Sequence, residues 1–140
     1  MIREKLKVEV IPSKGNINGI DYVICKNPVN AFCAYVRIPD NHKWFCLKKE
    51  RKLHFSKRKI DVSYEMIKIS CHGGLTFSER INGDGEEYPQ KFTDGFWVGW
   101  DFAHYGDYVD YGTSFKSEGV HWTEQMVLED IKDVIRQIRG

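Results

Sequence analysis

Apolar and polar residues alternate along most of this chain, and the period changes once, near its end. Lys5 to Ile11 (KLKVEVI) alternates charged and apolar positions, the period-two pattern of a half-buried strand. Pro12 with Lys14-Gly15-Asn16 predicts a turn, and Asn18-Gly19 a second one. Ile20 to Cys25 (IDYVIC) and Ala31 to Ile38 (AFCAYVRI) are strand-forming runs broken by Lys26-Asn27-Pro28, which predicts an antiparallel hairpin. Pro39-Asp40-Asn41-His42 leaves that sheet. From Lys43 to Phe55, Trp44, Phe45, Leu47, Leu53 and Phe55 interrupt the charge, which predicts a short helix or an irregular segment covering the sheet. Val62 to Cys71 alternates again and predicts a central strand that delivers His72 to its end.

Ser78 to Asp94 is polar and predicts a long exposed loop, with Asp84-Gly85 placed to close a hairpin between the strands on either side. Phe96 to Asp101 is nearly continuous in apolar residues, which predicts a strand buried on both faces. Phe96 and Trp100 share one of those faces and Trp97 takes the other. Tyr108 to Gly119 is an aromatic and glycine-containing loop. The period then changes. Val127, Ile131, Val134, Ile135 and Ile138 recur at three- and four-residue steps, the apolar face of a helix. Thr123 is placed to cap it, Glu124 suits its first turn, and Arg136 and Arg139 suit its last. Strands first and a helix last predict an α+β fold: a single domain over 1–140, an antiparallel sheet with a C-terminal amphipathic helix packed on one face.

Composition narrows the function classes. The hydrophobic fraction is 41% and the charged fraction 29%, ordinary for a globular chain, while the aromatic fraction of 14% is high. A net charge of +1 argues against a nucleic-acid polymer as partner. Lys48 to Lys59 is densely basic, which suits either a solvated, lysine-protected edge or a local anion-attracting patch. Cys25, Cys33, Cys46 and Cys71 form no CxxC pair, so no zinc knuckle or thioredoxin-type site is signalled. The charged N-terminus and the lack of a long apolar run lead to the expectation of a cytoplasmic protein with no membrane partner and no disulfides.

Chemistry concentrates in two stretches, Ser70 to Phe77 and Gly95 to Asp107. His72 is followed by Gly73 and Gly74, a pair suited to a turn with positive φ or a close approach, and the amides of such a turn can bind an anion. Asp101, His104 and Asp107 follow at three-residue steps and share a face if the backbone turns helically after the strand. With His72 they suit three chemistries: hydrogen bonding to a ligand, ligation of a divalent metal, or a base held by an orienting carboxylate. A buried polar network that satisfies loop amides is the structural alternative. Tyr105, Tyr108 and Tyr111 offer an aromatic rim. Walker, GxGxxG, GxSxG and HExxH signatures are absent.

At these residues the chain resembles a family of small phage and prophage proteins. Its members are similar in an HGGLT(Y/F) stretch followed, some tens of residues later, by WxGxDxxHxGD. Here these are His72-Gly73-Gly74-Leu75-Thr76-Phe77 and Trp97-Val98-Gly99-Trp100-Asp101-Phe102-Ala103-His104-Tyr105-Gly106-Asp107. Ala34 to Pro39 with His42, and Trp122-Thr123 before the helix, also look similar. Trp100 stands where Phe is expected and Ala34 where Gly is expected. The resemblance implies a viral protein acting in a host cytoplasm. By analogy with other small phage proteins, it implies antagonism of host defence by sequestering a nucleotide-derived signal, a cyclic nucleotide or an ADP-ribose derivative. The expected ligand residues are His72, Gly73, Gly74, Thr76, Trp97, Asp101, His104, Tyr105 and Asp107, with no cofactor and no metal. A homo-oligomer is expected, since shared pockets bind tightly. A metal-dependent or acid-base hydrolase of such a molecule, and a protein inhibitor of a host factor, are the alternatives.

Overall fold

The computed structural model describes residues 9–27, 30–49, 66–82, 92–104, 106–108 and 119–140. Its first hairpin turns on two residues. Asn18 (φ 52°) and Gly19 (φ 84°) both take the left-handed backbone that a tight two-residue turn requires. They join β1 (Glu9–Ile17) to β2 (Ile20–Lys26), with Ile17 opposite Ile20. Asn16 Oδ1 accepts from the Gly19 N–H, and Arg139 Nε donates to the Asn18 carbonyl at 3.1 Å.

β1 runs straight through the turn predicted at Pro12 to Asn16. The pairing shifts between Val10 and Ser13, so the chain bulges there and keeps its direction. A proline, with no N–H to give, is tolerated at a bulge on an edge strand. Residues 5–8 of the predicted first strand lie outside the described residues.

β3 (Phe32–Ile38) pairs antiparallel with β2, as the hairpin prediction requires. β4 (Lys48–Lys49) and β5 (Met66–Ile67) make a separate two-stranded parallel sheet. β6 (Phe77–Ile81) and β7 (Gly95–Asp101) are antiparallel, and the main sheet has the order β1-β2-β3-β7-β6. The predicted loop over Ser78 to Asp94 therefore begins later than expected, because Ser78 to Ile81 belong to β6. Residues 83–91, with Asp84-Gly85, lie outside the described residues.

The central strand predicted over Val62 to Cys71 is a second correction. Its described part is β5 and the chain from 68 to 71, and none of it pairs with the main sheet. The alternation is real, since Ile67 and Ile69 are buried. The backbone is satisfied elsewhere: Gln137 of the helix accepts from Ser70 N–H at 2.8 Å and donates to Ser70 O at 2.7 Å. Alternation reports burial on one side and does not say which group completes the hydrogen bonds.

The helix α1 (Glu124–Arg139) forms as its pattern dictates. Thr123 Oγ1 accepts from Met126 N–H, and Gly140 donates back to Arg136 O. Val127, Ile131, Val134, Ile135 and Ile138 are its buried residues. They pack on Ile20, Ile24, Ala34, Val36, Ile38, Phe96, Val98 and Trp100, which share one face of the sheet. Trp44, Phe45 and Leu47 close over this core from a run of turns, and residues 50–55 lie outside the described residues. His42 ties the helix end down. Its Nδ1 accepts from Trp44 N–H, so Nε2 carries the proton that reaches Ile138 O at 2.9 Å.

The opposite sheet face is also covered. Val23, Ile81, Phe92 and Trp97 are buried there, with Tyr35 and Phe77 against them. The Tyr35 ring lies across Gly99, where any Cβ would overlap it. All of β7 except Asp101 is buried, as its apolar run predicted. All four cysteines are free thiols.

Ile131 is fully buried at the helix–sheet contact. Ile131→Ala should lower unfolding free energy by about 2–5 kcal/mol in urea titration. Met126→Ala, on the exposed side, should change it by no more than about 0.5 kcal/mol. Equal effects of the two would contradict this packing.

Candidate functional site

Three segments converge at the C-terminal end of β7: the turn after Cys71, the chain that follows Asp101, and the approach to α1. The first is a tight turn closed by Gly74 N–H donating to Cys71 O. Gly73 (φ 72°) and Gly74 (φ 85°) both take left-handed backbone, as the glycine pair predicted. Gly73 is needed for a second reason. A Cβ there would overlap the His104 imidazole.

The second segment turns without forming a helix. Asp107 N–H donates to His104 O at 2.8 Å, closing a turn that contains Gly106. Asp101, His104 and Asp107 are thus gathered by a bend and a turn, not by a shared helical face. The third segment runs beside it: Tyr108 N–H donates to Val120 O and Val120 N–H donates to Gly106 O, on either side of Asp107, and Trp122 follows.

Asp107 sits where they meet, only 4% exposed. Its Oδ1 accepts from Trp122 Nε1 at 2.8 Å, its Oδ2 accepts from His104 N–H at 2.9 Å, and His72 Nε2 lies 3.0 and 2.8 Å from the two oxygens. Burial works to raise the Asp107 carboxyl, but the hydrogen bonds from His72, His104 and Trp122 outweigh it and hold the group below its ordinary value. An ionised carboxylate only accepts, so the proton in the His72 contact lies on Nε2. The His72 ring stacks on Phe102, with centroids 4.8 Å apart and planes within 3°, and Trp122 leans on it at 4.7 Å. Its side chain is 27% exposed, and Nδ1 makes no hydrogen bond among the described residues.

His104 sits beside it, ring centroids 5.7 Å apart and edge-on. Its Nε2 lies 3.1 Å from Asp101 Oδ1, out of line for a hydrogen bond and sealed from solvent. Its Nε2, Cδ2 and Cε1 face Gly73, and the side chain as a whole is 34% exposed. Asp101 Oδ1 also accepts from Ala103 N–H, so this pair is anchored to the backbone. Cys71 is no nucleophile here: burial and the nearby Asp130 charge push its thiol up to about 12.

The helix supports the same place. Asp130 Oδ2 accepts from His72 N–H at 3.2 Å and from the indole of Trp100 at 2.9 Å. Sequence reasoning missed Asp130, Gln137 and Phe102. Asp130 and Gln137 look like two more polar residues on an amphipathic helix. Their one signal is a separation of seven, which puts them on the same side.

Of the predicted site residues, His72, Gly73, Asp101, His104 and Asp107 are brought together. Asp107 is a correction in role, because its oxygens are filled by protein donors and it faces no open surface. Gly74 completes the turn. Thr76 immediately precedes β6 and has an exposed side chain, its N–H held by Gly99 O. Trp97 is not at the site. It is fully buried on the far side of the sheet, its indole donating to Thr93 O at 2.8 Å. Tyr105 and Tyr111 lie outside the described residues. Tyr108 stacks on His121, centroids 3.8 Å apart.

No group of three or more His, Cys, Asp or Glu placed to hold a metal ion occurs among the described residues. None of their helices is long and apolar enough to cross a membrane. A cavity of about 400 Å³ lined by Gly19, Ile20, Asp21, Arg37, Pro39, Asp40 and Asn41 lies at the other end of the sheet, away from both histidines. Comparison with family models, with curated proteins and with solved structures finds no match.

Asp107→Asn leaves a donor facing a donor, so it should cost about 1.5–3 kcal/mol at pH 7. A carboxyl held low in the folded state stabilises above its unfolded value, about 3.9. That contribution is lost as pH falls through the folded value. The gap between wild type and variant in urea titrations should therefore narrow below about pH 4. A gap that stays constant from pH 7 to pH 3 would contradict this role for Asp107.

Gly73→Ala should shift the imidazole NMR signals of His104 more than those of His42, which lies at the other end of the helix. Unchanged His104 signals in a folded variant would contradict the packing of that ring on Gly73.

Proposed function

We propose that this chain binds a nucleotide-derived small molecule at the His72–His104 surface and withholds it as a phage-encoded antagonist of host immune signalling. The observation that carries the reading is the preparation of His72. A buried carboxylate fixes one nitrogen, Phe102 and Trp122 fix the ring plane, and the other nitrogen is left without a protein partner among the described residues. Such pre-organisation reduces the entropy cost of gripping a ligand. His104 and the Tyr108–His121 stack supply further polar and aromatic surface close by. The resemblance to small phage proteins supplies the biological setting, a host cytoplasm, and a homo-oligomer would let two copies share a ligand.

The Asp107–His72 contact favours one second reading. A carboxylate that orients a histidine is also the arrangement of a general acid-base catalyst, so the same surface would turn the ligand over.

One experiment tests both. The protein is incubated with cyclic nucleotides and ADP-ribose derivatives, then heated, and the supernatants are separated by chromatography. Depletion of one compound with intact recovery after heating is expected. His72→Gln should weaken that capture at least tenfold, about 1.4 kcal/mol. A new product would replace capture by catalysis, and no depletion of any compound would sink both.

A further inference from the structure

We infer that the cavity beside Arg37 and Asp40 binds the vicinal diol of a neutral sugar, either free or as the ribose of a nucleoside. The site is separate from the His72–His104 surface, because Arg37 and Trp97 pair near the start of β7 and the histidines gather beyond its end. The cavity holds about 400 Å³, which suits a small polar molecule. The β1–β2 turn contributes Gly19, Ile20 and Asp21 to its lining, and the end of β3 with the turn after it contributes Arg37, Pro39, Asp40 and Asn41. Both parts are held in place. Arg139 of α1 donates to Asn18 O, Asn16 Nδ2 donates to Asp21 Oδ1 at 2.8 Å, and His42 N–H donates to Pro39 O at 3.0 Å.

Arg37 carries the chemistry. Its Nε donates to Asp94 O at 2.8 Å and its Nη2 to Asp40 Oδ1 at 2.9 Å. The chain entering β7 lies against the guanidinium, where a Cβ on Gly95 would overlap Nε. The Arg37 side chain is 24% exposed, so the group is fixed before a ligand arrives, which lowers the entropy cost of binding. Among the described residues Nη1 has no acceptor and Asp40 Oδ2 has no donor. The ion pair therefore sets free N–H groups beside a free carboxylate oxygen. Asn41 adds an exposed amide to the same lining.

Charge and hydrogen-bond sense select the ligand. The lining holds two carboxylates, Asp21 and Asp40, and one guanidinium, which disfavours an anion. The guanidinium in turn disfavours a cation beside it. A neutral ligand must both accept from Arg37 and donate to Asp40. A hydroxyl does both at one atom, and two on neighbouring carbons engage the pair together. An ether or a ketone would use the donor alone. Ile20 and Pro39 supply apolar lining for the C–H face of a sugar ring.

The test titrates the full chain with methyl β-D-ribofuranoside and with adenosine, followed by NMR. Methyl 2-deoxy-β-D-ribofuranoside, which lacks the vicinal diol, and inorganic phosphate are the controls. The backbone amides of Gly19, Asp21, Asp40 and Asn41 should shift with the riboside at millimolar affinity, as expected for so small a ligand. The deoxy control should bind about tenfold more weakly. Asp40→Asn keeps an oxygen for Arg37 and turns the free acceptor into a donor, at a side chain 69% exposed. It should weaken riboside binding by about tenfold while the chain stays folded. Adenosine binding more tightly than the riboside identifies the ribose of a nucleoside as the ligand, and adenosine binding no better identifies a free sugar. Amides that stay unshifted at a riboside concentration of about 0.1 M would overturn the inference. So would equal binding of riboside and deoxy control, unchanged binding by Asp40→Asn, or phosphate shifting these amides more than the riboside does.

Discussion

The site depends on one buried carboxylate. Asp107 collects a proton from each of three segments: the His72 ring after the glycine turn, the His104 amide in its own turn, and the Trp122 indole ahead of the helix. An isolated carboxylate at 4% exposure would be costly, and with three donors it becomes the cheapest way to satisfy all of them. The consequence is geometric. Segments distant in sequence are locked to one point, and the His72 ring has one orientation and one protonated nitrogen on its inner side.

The helix gives that point its rigidity. Its apolar face is anchored on β2, β3 and β7, and its polar side then reaches across to the chain that carries His72. Gln137 pairs with Ser70 as a neighbouring strand would, and Asp130 takes the His72 N–H together with the Trp100 indole. Trp122, one residue before the cap, completes the link. The histidine is thus fixed from both ends, its backbone by Asp130 and its ring by Asp107. Hydrophobic burial stabilises the helix position, and the hydrogen bonds convert that position into the geometry of a surface.

How much of this was legible in the sequence depends on the range of the signal. The helix was fully legible, because Thr123, the apolar steps and the terminal charges are all local. The β7 strand was legible from its continuous apolar run, and the turn before β2 from Asn18-Gly19, though not the hairpin that it closes with β1. The bulge at Pro12 was not, since a proline signals a break and only the pairing shows that the strand resumes. The place of the chain around Ile67 and Ile69 was not legible either. Its alternation gave burial, while its hydrogen-bond partner is a glutamine side chain nearly seventy positions away. At the site, the histidines and aspartates stood out by type, but their roles did not. Asp107 and Asp101 look alike in sequence, and only burial separates a saturated anchor from a carboxylate at the edge. Trp97 matched the same motif as His104, yet the strand's two-residue period sends it to the other side of the sheet.

The most direct test of the account is the tautomeric state of His72, read from long-range nitrogen–proton NMR correlations of the imidazole. The account predicts that the ring, when neutral, carries its proton on Nε2, with that proton strongly hydrogen-bonded and slow to exchange, while Nδ1 behaves as an open nitrogen. A proton on Nδ1, or rapid averaging between the two nitrogens, would mean that Asp107 does not hold His72, and the proposed site would lose its basis.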